Sequence, residues 1–159
     1  QQVIDSKTTN SKAMLAAYEG LITYYEDTGA LSNADIMHLD AIQYEPDNAW
    51  LYGNYASFLL YKVGDYDKAI QYGRMALERM DYGVGRQTLA AALYRKWAQY
   101  LVVENDRGAG QEYFDEAYRL YPNVRKIAEY ANYSPHLQPT LVAFRMSNLI
   151  PSEGKDGGR

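Results

Sequence analysis

Val63 to Leu77 reads VGDYDKAIQYGRMAL. A tight turn at Gly64-Asp65 leads into a segment whose small residues Ala69 and Ala76 stand seven positions apart, with Tyr66 just ahead of them. Seven residues is close to two helical turns, so both alanines fall on one face. A small stripe of that kind lets a neighbouring helix approach to the short end of the ~8–10 Å interaxial range. Either the segment is one ordinary amphipathic helix, or it is half of a repeating hairpin whose neighbours pack on the stripe.

The rest of the chain favours the hairpin. From Ala13 onward apolar residues recur at three- and four-residue steps, with no alternating strand pattern. The breaks are regular. DTGALSN (Asp27 to Asn33) and VGDYD (Val63 to Asp67) carry Gly turns with Ser32 and Asp65 as candidate N-caps. YEPDN (Tyr44 to Asn48) and LYPN (Leu120 to Asn123) place Pro where a helix has already ended. Gly29 and Gly64 stand 35 residues apart, as do Ala34 and Ala69, and Ala41 and Ala76. A third unit follows after MDYGVGRQT, with Gly110 where the register expects an alanine, and ends at Pro122.

Helix-turn-helix units of about 34 residues with this pattern resemble the tetratricopeptide repeat. The resemblance covers about residues 15–122 and implies an all-α fold, a right-handed superhelical stack of antiparallel helix pairs. Repeats are expected at about 15–48, 49–82 and 91–123. Capping helices over 124–150 complete a single domain of 13–150. The polar opening, 1–12, reads as a flexible lead-in and 151–159 as a flexible tail. Tyr18, Leu21, Tyr25, Leu60, Trp97, Leu101 and Phe114 are expected to fill the gaps between hairpins, because no unit can bury its own apolar face.

Composition narrows the function. The 159 residues include 17 tyrosines, 3 phenylalanines and no cysteine, and the net charge is −4. No disulfide, thiol nucleophile or Cys-ligated zinc is available. The mild, mixed charge argues against a nucleic-acid partner, and no apolar run reaches the ~20 residues that span a bilayer. The absence of an opening Met tips the expectation toward an exported or envelope-tethered origin over a cytoplasmic one, though a cloning boundary accounts for it equally well.

Chemistry is hard to find. His38 reads as a packing residue on the second helix of the first unit, and His136 sits in a Pro135-His136-Leu137 turn. Two histidines so far apart do not make a metal site. GVGRQ (Gly83 to Gln87) lacks the spacing of a phosphate loop. The sequence therefore reads as non-catalytic, with no cofactor or metal.

The resemblance implies a concave groove lined by the first helix of each unit and receiving a peptide or protein partner. Carried onto this chain, the groove positions are Glu19 and Thr23, with Glu26 near the helix end; Leu51, Asn54, Tyr55, Phe58, Tyr61 and Lys62; then Arg95, Lys96, Gln99, Val102 and Val103. Tyr55 and Tyr61 are the favoured groove rings, with Phe58 leaning toward core. Family members that grip acidic chaperone tails use a clamp of Lys, Asn, Asn, Lys and Arg. The matching positions here hold mainly Glu19, Thr23, Tyr55, Ala92 and Lys96, so that role is disfavoured. The leading expectation is a protein-interaction module. The alternatives are an inhibitor or immunity-type protein that blocks an enzyme, and a structural segment of a larger scaffold or secretion assembly.

Overall fold

The computed structural model describes residues 2–152, with side chains from residue 10 onward. Helices form consecutive antiparallel pairs, and no strand occurs among the described residues. The first pair is α1 (Gln2–Asp27) with α2 (Leu31–Tyr44). The second is α3 (Ala49–Phe58), which runs on as a π-helical turn at Leu59–Val63, with α4 (Tyr66–Arg79). The third is α5 (Gly83–Ala98), extended by a π-helical turn at Gln99–Val103, with α6 (Gln111–Leu120). Next come α7 (Val124–Ala131), a short 3₁₀ turn at Pro135–Leu137 and α8 (Gln138–Met146). The pairs stack side by side as a helical solenoid.

The small-residue stripe does what the spacing implies. Ala34, Ala41, Ala69 and Ala76 are at most 1% exposed, and Gly73 continues the stripe on α4. A Cβ added at Gly73 would come within 3.2 Å of the Leu89 side chain on α5. Gly29 and Gly64 hold positive φ at +73° and +80°, the left-handed geometry that closes the two repeat turns. Asp65 caps α4 by accepting from the Lys68 amide at 3.1 Å. Ser32 does not cap α2. That helix starts at Leu31, so the residue before it is Ala30, which has no side-chain acceptor.

Three expectations shift. The opening expected as a lead-in is helical from Gln2, forming the first turns of α1. From residue 153 the tail lies outside the described residues. The third unit begins at Gly83 rather than at residue 91. Gly85, in its first turn, is a close-approach position: a Cβ there would sit 2.7 Å from the Tyr82 ring. Leu21, expected between hairpins, is 43% exposed.

The C-terminal helices are locked onto the third unit by aromatic contacts. Phe144 on α8 meets Tyr94 at 5.1 Å and Trp97 at 6.0 Å between ring centroids, and Phe114 closes the cluster on Trp97 at 4.9 Å. Such pairs contribute about 0.5–1.5 kcal/mol each beyond their buried area.

Candidate functional site: a cleft between the first two units

A cleft of about 380 Å³ opens between α1 and the end of α3. Glu19, Ile22, Thr23 and Glu26 line it from α1, at spacings that keep them on one helical face. Asn54, Ser57 and Phe58 line it from α3, Tyr61 and Lys62 from the π-turn, and His38 closes its floor from α2. The sequence-derived positions Glu19, Thr23, Glu26, Asn54, Phe58, Tyr61 and Lys62 thus meet in one place. Ile22, Ser57 and His38 were not anticipated there.

His38 is buried, tilted against Phe58 at 4.9 Å and Tyr55 at 5.3 Å between centroids. Its Nε2 lies 3.2 Å from Glu26 Oε1, so the imidazole fixes one carboxylate of the cleft wall. Glu19 is exposed, and no ion pair or hydrogen bond of its side chain occurs among the described residues. Tyr61 is half-buried, and burial, with the nearby Tyr130 as the lesser cause, pushes its phenol up to about 12. The ring therefore stays neutral and serves as an apolar wall with a polar tip.

The other expected positions are placed elsewhere. Tyr55 is not a groove ring. It is 2% exposed and donates to Asp35 Oδ1 on α2 at 2.6 Å, with its edge against Tyr72 of α4. Burial, then that hydrogen bond, raises its phenol well above the ordinary tyrosine value. The 55/58/61 spacing explains the error. Each three-residue step falls about 60° short of a full turn, so the face drifts from core at Tyr55, through the cleft edge at Phe58, to the rim at Tyr61. Leu51 is also buried.

The third unit contributes little to the cleft, because the chain's own C-terminal segment lies over it. Arg95 is 8% exposed, with Nε donating to the His136 carbonyl at 2.7 Å and Nη2 to the Tyr66 hydroxyl at 3.1 Å. Its guanidinium also rests 4.1 Å from the Tyr66 ring centroid. Ser134 Oγ donates to the Tyr61 carbonyl at 3.1 Å, and His136 Nε2 lies 3.2 Å from the Lys62 carbonyl. Lys96 turns to α4 and pairs with Asp67 at 2.8 Å, and that hydrogen bond raises its pKa. Gln99 bonds Glu104 at 3.1 Å, while Val102 is partly buried and Val103 exposed. Nothing in the degraded pattern after Pro122 signals this return of the chain.

Among the described residues, no group of His, Asp and Glu gathers that could hold a metal ion, and no helix is long and apolar enough to cross a membrane.

Stacked antiparallel helix pairs with small-residue seams and an open cleft define a helical-repeat protein, a class built to present surface to partners. Residues 39–71, from the middle of α2 into α4, match the model of the tetratricopeptide repeat. No curated protein matches the sequence significantly.

Proposed function

We propose that this chain is a non-catalytic protein-interaction module that holds an extended segment of a partner protein in the cleft between α1 and α3. One observation carries the reading: groove positions taken from two separate repeats converge on a single open cleft with exposed polar groups at Glu19, Thr23, Asn54 and Lys62. Peptide sites combine an apolar floor with a few directed polar groups. The buried Phe58 ring at the base and the Tyr61 ring at the rim provide the apolar surface here.

The test is capture from native extract followed by mass spectrometry, repeated with Thr23→Arg plus Asn54→Arg. Both positions are exposed, so the arginines fill the cleft without disturbing the core. A partner lost from this variant and retained by Gln71→Arg on α4 supports the reading. A partner retained by both variants defeats it. Tyr55→Ala is the wrong probe, since it opens the core between α2 and α4.

A further inference from the structure

We propose that the cleft continues past Lys62 into a second subsite built by the C-terminal hairpin. Together the two take an extended peptide carrying a Lys or Arg side chain and, about two or four residues along on the same face, a proline or aromatic side chain. The inference rests on the interaction reading above and adds to it the partner's chemistry.

The second hollow, also about 380 Å³, is lined by Tyr61, Lys62, Tyr130, Tyr133, Ser134 and Pro135. Tyr61 and Lys62 belong to both hollows, so the two adjoin along one wall. The hairpin is not loosely apposed. Its Ser134 and His136 contacts to the Tyr61 and Lys62 carbonyls pin it to the end of the π-turn and hold the second hollow in register with the first. Tyr133 is 89% exposed on this anchored segment and Tyr130 is 42% exposed. Large rings presented on a fixed backbone provide flat apolar walls at low rotamer cost.

Charge complementarity selects the occupant of the first hollow. Glu19 and Glu26 lie seven residues apart on one face of α1, and His38 engages Glu26 through Oε1. A cationic side chain entering between them gains charge-assisted hydrogen bonds. Lys62 stands where the hollows meet. Its ammonium suits the peptide's carbonyl oxygens, while its methylene stem extends the apolar wall. In an extended chain alternate side chains share a face, so two side chains that enter adjoining hollows along one wall stand about two or four residues apart. That sets the spacing between the basic and apolar side chains.

The experiment is selection of a displayed random-peptide library on the immobilised protein, followed by affinity measurement on the enriched peptides. Enriched sequences should pair Lys or Arg with Pro, Tyr, Phe or Trp at that spacing. Glu19→Gln plus Glu26→Gln, which keeps an acceptor for His38, should weaken them about tenfold and remove the basic preference alone. Tyr133→Ala, at a nearly fully exposed ring, should weaken them several-fold and remove the apolar preference alone. Peptides that bind in the cleft, being blocked by Thr23→Arg, yet lack the basic residue or ignore Tyr133→Ala, overturn this inference and leave the interaction reading standing. Peptides indifferent to Thr23→Arg plus Asn54→Arg, or a library that enriches nothing, overturn both.

Discussion

Arg95 is the bolt that holds the C-terminal hairpin over the third unit, and its removal should loosen that hairpin selectively. In Arg95→Ala the His136 carbonyl loses a 2.7 Å bond from a charged donor, worth about 1.5–3 kcal/mol net. Its remaining contact, from the Tyr66 hydroxyl at 3.5 Å, is too long to replace it. The guanidinium–Tyr66 contact adds about 0.5–1 kcal/mol. Against this, Arg95 Nη1 is buried with no hydrogen-bond partner, so its removal relieves a desolvation cost. The balance is a loss of about 1 kcal/mol. Repeat stacks open locally before they unfold globally. The loss should therefore appear as amide exchange about fivefold faster through residues 137–146, with little change in α1 and α2. Arg95→Met, which keeps the stem but not the donors, should fall between wild type and Arg95→Ala. Exchange by mass spectrometry reads this directly. Unchanged protection of 137–146, or a loss spread evenly from α1 to α8, would refute the claim that Arg95 acts by anchoring the hairpin.

Other outcomes follow from the same geometry. Tyr55→Phe removes the hydroxyl that bonds Asp35 and should cost about 1.5–2 kcal/mol in denaturant unfolding, since the carboxylate loses a buried partner. Ala76→Leu should overpack the seam between α3 and α4 and cost about 1–3 kcal/mol, while Gln71→Leu on the exposed face of the same helix should stay within about 0.5 kcal/mol. Tyr61, with its phenol raised to about 12, binds its proton more tightly folded than unfolded. Its contribution is fully present below about pH 10 and is lost as pH climbs toward 12. Ring resonances of labelled tyrosine should show a titration near pH 12 that disappears in Tyr61→Phe.

How far the sequence could be read differs between fold and site for physical reasons. Packing seams demand small residues at fixed spacing, and Ala34, Ala41, Ala69 and Ala76 leave that mark whatever surrounds them. The position of the first two turns was legible because Gly29 and Gly64 occupy backbone geometry that other residues resist. Gly85 serves close approach within α5, and only the position of the Tyr82 ring separates that use of glycine from a turn. On α1, Glu19, Thr23 and Glu26 line the cleft together because three-, four- and seven-residue steps keep them on one face. The α3 stripe was mis-sorted because a three-residue step drifts across faces, and the π-turn at Leu59–Val63 adds a further residue per turn that no pattern announces. The covering of the third unit depends on contacts between residues 41 and 74 positions apart, such as Arg95 with His136 and Lys62 with His136. Pairings at that range leave no periodic trace.

The repeat itself supplies a control for that long-range contact. Gly29 and Gly64 are equivalent turn positions with nearly the same φ, so Gly→Ala at either incurs the same left-handed penalty of about 1–2 kcal/mol. Their surroundings differ. A Cβ at Gly29 meets nothing within 4 Å, whereas at Gly64 it would lie 2.5 Å from His136 Nδ1 and 3.1 Å from Cγ. Gly64→Ala must therefore push the imidazole off the end of the π-turn, stretching the His136–Lys62 contact and, through the same residue, the Arg95 bond to the His136 carbonyl. The difference between the two substitutions isolates the docking of the hairpin from backbone strain, and should be about 1–2 kcal/mol in unfolding free energy. In the double variant Gly64→Ala with Arg95→Ala, the two costs should fall short of additive, because each releases the same residue. Equal costs at Gly29 and Gly64, or full additivity with Arg95→Ala, would mean that His136 does not couple the second unit to the C-terminal hairpin.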